Sequence, residues 1–350
     1  MPPRAGTRLL VFIPNLADGG AQRQCVRLVN ELARRDGLDV VLVRHPGGVH
    51  ESGLDRSRII DRPLPPELSH KDPRAILALR RIITQTRPDV VMTWLRQGDL
   101  VGRAAMVGLG IPWVIAERDS AHAPGLRSAV RRRLGRRADL VVTISRAGAD
   151  YWRAAGRAAH RPTVIVDNIV VPPPTGAPVE RDLVVFVGRL EHQKNIHVVA
   201  RSLALSAAEH PDLRHLVVGR GSLSPEVESI LRGHAVELTG YVADVHPILA
   251  RTLVLLLVSH HEGLPNVLLE AVTHDVPVVA SDIPEHRDLL GPDYPYFVTD
   301  RHSPQAVVEV VRRVLDAPDP RALDHARARV QAMTAAKVAD SYLSALAAHT

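Results

Sequence analysis

Two glutamates eight positions apart, Glu262 and Glu270, stand out for chemistry in the segment HHEGLPNVLLE at 260–270. An almost wholly apolar run precedes this segment, and Pro265 suits the first turn of a helix. Such a start aims the backbone N–H groups around Gly263, Leu264 and Asn266 at an incoming anion. Glu262 then lies on the loop before the helix and Glu270 about one turn inside it, within Val-Leu-Leu-Glu-Ala-Val. A carboxylate in such apolar company is costly unless it accepts hydrogen bonds, and sugar hydroxyls are good donors. The rival reading is two unrelated acids on an exposed helix, which the apolar flanks oppose.

A second constellation is VGRLEHQKN at 187–195, where Gly188 leads into Arg189 and Lys194 on a strand-to-helix turn. A guanidinium fork and an ammonium point charge together suit a diphosphate. The lysine is informative because 41 of the 44 cationic residues are arginines, the exceptions being Lys71, Lys194 and Lys337. A solvated surface turn is the alternative, although anion sites favour such turns. Near the start of the chain, Asp18-Gly19-Gly20-Ala21-Gln22 closes an apolar run and opens a helix. Glycine permits close backbone approach there. The GxGxxG dinucleotide spacing is not met, and a simple tight turn explains the pair equally well. His260 and His261 beside Glu262 lack a usual zinc-ligand spacing, so no metal site is expected.

Elements that alternate in type must position these residues. Short apolar runs at 9–13, 40–43, 90–92, 113–116, 140–144 and 164–166 read as strands. Helical segments at 22–35, 73–86, 126–137 and 147–155 lie among them. Four prolines and one glycine within 171–178 suit an exposed linker. The alternation then restarts, with strands expected at 183–187, 216–218, 253–258 and 276–280 and helices at 196–209, 227–232 and 267–274. Residues 303–315 and 322–348 read as two further helices. This is the signature of parallel sheets covered on both faces, which bind ligands at their carboxyl edge. The expectation is an α/β protein with an N-terminal domain at 1–171, a linker at 172–182, a C-terminal domain at 183–320 and a closing helix at 321–350 that crosses back to the first domain.

Composition narrows the class. A hydrophobic share of 45% with 23% charged residues fits a folded globular protein, and 3% aromatics leaves few rings for stacking bases. Nucleic acid is therefore not an expected partner, and the basic half carries no recognisable DNA-binding motif. The single Cys25 cannot form an internal disulfide, and no run approaches a membrane span, so a cytoplasmic protein is expected. Charge is uneven. Residues 1–175 hold 28 Lys+Arg against 16 Asp+Glu, a net +12, whereas 176–350 hold 16 against 22, a net −6. The basic half suggests an anionic acceptor or peripheral contact with the inner face of a membrane, with arginine-rich coding bias as the plain alternative. Arg131–Arg133 and Arg136–Arg137 read as one solvated or membrane-facing helix side.

The Glu262 to Glu270 spacing resembles the E-x7-E motif of retaining glycosyltransferases of the two-Rossmann-domain GT-B fold, specifically family 4. The likeness extends to GGAQR at 19–23, VVGRGSL at 217–223, LTGYV at 238–242 and PVVASDIPE at 277–285. It implies two doubly wound domains facing across a cleft. It further implies that Arg189 and Lys194 grip the donor diphosphate and stabilise the leaving nucleotide. Glu270 would accept from ribose hydroxyls, and Glu262 would hold the transferred sugar together with the backbone of Gly263, Leu264, Pro265 and Asn266. Gly19 and Gly20 would approach the donor phosphates and acceptor, while Gly188, Gly219 and Gly221 would line the nucleotide pocket. Many relatives carry a histidine near the end of the fourth strand. This chain has Glu117 and Arg118 there, with His122 four residues on, and those three are the candidates for the acceptor side.

The implied reaction moves a hexose-type sugar from a UDP- or GDP-sugar to an acceptor hydroxyl with retention and without a metal or other cofactor. The acceptor would be a glycan, a lipid-linked intermediate or a small metabolite. The sequence contains no D-x-D triplet; cationic side chains would neutralise the leaving group instead. A sugar-nucleotide epimerase and a non-catalytic sugar-nucleotide-binding protein are the rival functions.

Overall fold

A computed structural model describes residues 6–68, 72–118, 125–174, 176 and 180–349. The chain divides into two compact units, Met1–Ile169 with Met333–Thr350, and Val170–Ala332.

In the first unit the order is β1 (Thr7–Phe12), α1 (Gly20–Leu32), β2 (Leu38–Val43), β3 (Ile60–Asp61), α2 (Arg74–Thr86), β4 (Val90–Trp94), α3 (Leu95–Ala105), β5 (Trp113–Ala116), α4 (Leu126–Gly135), β6 (Leu140–Thr143), α5 (Arg146–Ala154) and β7 (Thr163–Ile165). The strands form one parallel sheet in the order β3-β2-β1-β4-β5-β6-β7. Strand parity divides its core in two. Leu9 and Val11 pack with Leu28 and Leu32 of α1, whereas Leu10 and Phe12 pack with Leu79 and Ile83 of α2.

The second unit runs β8 (Leu183–Val187), α6 (Ile196–Glu209), β9 (Arg214–Val218), α7 (Ser224–Leu231), β10 (Val236–Gly240), α8 (His246–Ala250), β11 (Thr252–Leu257), α9 (Asn266–Thr273), β12 (Val278–Ser281), α10 (Pro284–Leu290), β13 (Phe297–Val298), α11 (Pro304–Asp316) and α12 (Asp324–Val330). Its sheet is also parallel, in the order β10-β9-β8-β11-β12-β13. In each unit the strand order reverses beside the first strand, between β1 and β4 and between β8 and β11. Open α/β sheets bind ligands at such switch points.

The reading of the C-terminal stretch needs correction. The single helix expected over 322–348 is two helices, α12 and α13 (Ala335–His349). Thr334 interrupts them: its hydroxyl accepts the Lys337 N–H at 3.3 Å and its carbonyl accepts the Val338 N–H, so it caps a new helix. The helix α13 belongs to the first unit, where Val338, Tyr342 and Leu346 pack in the α1 core. Periodicity did not single out α3. That helix lies close on the sheet through glycines, and a Cβ at Gly102 would stand 2.4 Å from Thr93 Cγ2.

Candidate active site

At the second unit's switch point, the loops after β8, β9 and β11 are sewn together by backbone. Gly188 donates to the Val218 carbonyl at 2.9 Å, Leu190 to Arg220 at 3.1 Å, and Leu223 to Leu190 at 3.0 Å. Glu191 accepts the Ser222 N–H at 2.9 Å and its hydroxyl at 2.7 Å, which holds the Glu191 carboxyl below its ordinary range. The approach is so close that a side chain at Gly219 would put Cβ 1.9 Å from the Gly188 carbonyl oxygen, and one at Gly221 would lie 2.3 Å from that of Leu190. Gly219 also has a φ of +134°. These glycines are fixed by loop-on-loop packing before any ligand is considered.

The β8 and β11 loops meet through Gln193, whose carbonyl accepts the His260 N–H at 2.9 Å and whose amide donates to the His261 carbonyl at 3.0 Å. A single 3₁₀ turn, His192–Lys194, then ends at Asn195, whose φ of +53° redirects the chain into α6. This turn buries Lys194 and sets its Nζ 2.5 Å from Glu262 Oε1. The Ser259 hydroxyl donates to the same oxygen at 2.6 Å. Glu262 is only 4% exposed. Burial alone would raise its pKa, but the Lys194 charge and the two hydrogen bonds outweigh that effect and lower it. Glu262 is therefore an ionised carboxylate in an ion pair.

Sequence reasoning missed Ser259 and two further residues that complete this cluster. Ser281, at the end of β12, donates to the Ser259 carbonyl at 2.7 Å. His286 on α10 is fully buried, and its Nδ1 donates to the Ser281 carbonyl at 2.9 Å, leaving Nε2 as the lone-pair nitrogen. Burial pushes this imidazole down to about 4, so it is neutral at pH 7. The only sequence signal for it was its place just after PVVASDIPE.

Arg189 is exposed, and its guanidinium donates to Gln193 Oε1 at 3.0 Å. The helix α9 opens immediately after Pro265, with its amino end at the carboxyl edge of β11. Leu264 and Pro265 are buried, whereas Gly263 and Asn266 are part-exposed. Glu270 is 3% exposed on a helix whose Val267, Leu268, Leu269, Ala271 and Val272 are also buried. Both carboxylates of the pair are thus interior.

In the first unit, Gly19 is the extended residue before α1, and Gly20 begins that helix at the carboxyl edge of β1. Glu117 does not extend toward solvent. It accepts from Arg131 at 2.7 Å, from Trp152 Nε1 at 2.9 Å and from the Arg118 N–H at 3.0 Å. Arg131 also reaches Asp99 at 2.6 Å, and the Thr93 hydroxyl donates to that carboxyl at 2.5 Å. Burial pushes Asp99 up to about 6, against the pull of Arg131. The arginine-rich helix side expected to be solvated is therefore broken at Arg131, which is 2% exposed. Arg118 lies over the Trp94 ring at 4.2 Å, donates to Asn168 at 3.2 Å and bonds the Tyr342 hydroxyl of α13. His122 lies outside the described residues.

Two parallel-sheet Rossmann-like units, one carrying a cation–carboxylate pair at its switch point, define a GT-B glycosyltransferase. The description "Glycosyl transferase 4-like domain" matches residues 19–167, and "Glycosyl transferases group 1" matches residues 181–317. The chain belongs to this group, family 4 of the glycosyltransferases. It is 25% identical over 78% of its length, and 79% of the relative's, to an alpha-1,4-N-acetyl-D-galactosaminyltransferase of Campylobacter jejuni named for a PP-undecaprenol-linked substrate. It is 26% identical over 75% of its length, and 76% of the relative's, to the lipopolysaccharide core biosynthesis glycosyltransferase LpsE of Rhizobium meliloti. Among solved structures, Anabaena HepE in complex with UDP and glucose superposes with a TM-score of 0.82 at 17% identity, covering 97% of this chain and 99% of that one.

Proposed function

We propose that the protein transfers a hexose-type sugar from a UDP- or GDP-sugar to a hydroxyl of a glycan or lipid-linked acceptor, with retention of anomeric configuration. The observation that carries this reading is the buried Lys194–Glu262 pair, which joins the β8 and β11 loops at the second unit's switch point. An ammonium has three donors, and Glu262 engages one. Lys194 therefore keeps donors for a phosphate oxygen, and Arg189 adds an exposed fork on the same loop. Their charge stabilises the departing nucleoside diphosphate in place of a metal ion. Glu262 accepts from a sugar hydroxyl while held by Ser259, and Glu270 accepts from the ribose. The amino end of α9 favours the negative charge of the donor. The acceptor hydroxyl attacks from the face the diphosphate leaves, and a phosphate oxygen takes its proton. The UDP and glucose bound by HepE, and the lipid-linked substrate named for the Campylobacter relative, support the donor and acceptor classes.

A hydrolysis and transfer screen across UDP-, GDP- and ADP-sugars, run with and without EDTA, tests the reading. Release of UDP or GDP that survives chelation is the expected result. Conversion of the donor to its epimer, or nucleotide binding with no turnover on any glycan or lipid-linked acceptor, would overturn it.

A further inference from the structure

The helix α4 is amphipathic in the wrong direction. A helix on a sheet normally buries its apolar stripe and exposes its charges. Here Arg131 is the buried side chain, 2% exposed, while Leu126 is 81% exposed and Val130 is 41% exposed. The inward side is held by ionic bonds from Arg131 to Asp99 and Glu117, and Gly135 packs closely on Trp152. Burying an arginine is tolerable only because two carboxylates meet it. The outward side is thereby left to residues with no role in the core.

Those outward residues form a pattern. Leu126, Val130 and Arg133 follow one another within α4 at spacings of four and three, which places them on a single stripe, and Arg137 follows just past the helix end. Residues 125–138 contain six arginines and no carboxylate. Five of the six, Arg127, Arg132, Arg133, Arg136 and Arg137, are exposed. Among the described residues no helix is long and apolar enough to cross a membrane, so any membrane contact made by these helices is at the surface. We infer that α4 is a docking element for an anionic lipid surface. Leu126 and Val130 enter the boundary between headgroups and acyl chains, and the exposed arginines pair with headgroup phosphates. A soluble polyanion would have no use for the leucine, and the stripe carries no ring for stacking bases. Because α4 follows β5, its amino end with Leu126 lies at the carboxyl edge of the first unit's sheet, the edge at which such sheets take ligands. A lipid-linked acceptor would arrive at that edge. The docking itself does not depend on which donor is used.

Sedimentation of the full chain with vesicles of phosphatidylcholine containing phosphatidylglycerol, against pure phosphatidylcholine, tests this. Binding is expected to the anionic vesicles alone and to fall steeply with salt. Arg133→Gln with Arg137→Gln should weaken it by about fivefold per charge removed. Leu126→Ser should weaken it about tenfold. Leu77→Ser, at an exposed leucine on α2, should bind as the unaltered protein does. Melting temperature and donor hydrolysis should be unchanged in all three variants, which separates a docking failure from a failure of the donor chemistry. Equal binding to both vesicle types, no binding to either, or loss at Leu77 matching that at Leu126 would overturn the inference. So would binding to heparin as tight as to vesicles and indifferent to Leu126→Ser, which would assign the surface to a soluble polyanion.

Discussion

Replacing Lys194 by alanine perturbs two things at once, and the structure allows them to be separated. The substitution strands Glu262, 4% exposed, with the Ser259 hydroxyl in place of its cation. Breaking a buried ion pair by removing one partner costs roughly 3–5 kcal/mol. For a unit the size of Val170–Ala332 this lowers the melting temperature by on the order of 10 °C. The pKa of Glu262, now held low chiefly by Lys194 against burial, should rise as well. Lys194→Met combined with Glu262→Gln removes both charges, keeps most of the volume and leaves the Ser259 hydroxyl an amide oxygen to bond. That double variant should recover all but about 1–2 kcal/mol of stability, because a neutral replacement of a buried pair costs little. Turnover should stay low in both proteins, by about 10²–10³-fold, the usual loss when one donor to a developing anion is removed. Thermal unfolding alongside a coupled assay for released nucleotide measures both quantities. A double variant that regains turnover together with stability would refute the argument and reduce the pair to a structural tie. Lys194→Ala with unchanged melting temperature and activity would refute even the tie.

Protonation of His286 should govern part of the acid sensitivity. Its folded pKa is depressed to about 4 from 6.5, so its stabilising contribution is complete above pH 6.5 and is lost as pH falls toward 4. The difference corresponds to roughly 3 kcal/mol, and His286→Asn should flatten the dependence of melting temperature on pH across that window. Gly219→Ala should destabilise the second unit by about 3 kcal/mol or more, because backbone strain and a carbonyl clash coincide there. Gly233→Ala, with a φ of +83° but open space around it, should cost only about 1 kcal/mol, both variants being compared by urea titration. Arg131→Met leaves Asp99 and Glu117 buried together without their cation and should cost about 3–5 kcal/mol, whereas Arg132→Met on the exposed side should fall within about 0.5 kcal/mol of the unaltered protein.

Much of the scaffold was legible because its signals are local. The unbroken apolar runs of β8 and β5 and the long pattern of α6 need no tertiary information, and their limits agree with the sequence reading residue for residue. The apolar flanks of Glu270 likewise announced its burial. What was hidden depends on partners distant in the chain. Nothing local shows that Lys194 meets Glu262 across 68 residues, or that Ser259, Ser281 and His286 stand behind them. Arg131 misled for the same reason: an arginine among arginines reads as surface until two carboxylates from other elements surround it. Gly219 and Gly221 read as ligand-facing, yet packing against the Gly188 and Leu190 backbone already requires them. The closing helix was misread because an alanine-rich stretch conceals the cap at Thr334.

The most direct test of the proposed chemistry is the anomeric configuration of the glycosidic bond formed from an α-linked nucleotide sugar, assigned by NMR of the transfer product. The proposed mechanism predicts an α product from the unaltered protein and none from Arg189→Ala with Lys194→Met. A β product would contradict retention and, with it, the roles assigned to Glu262 and Glu270.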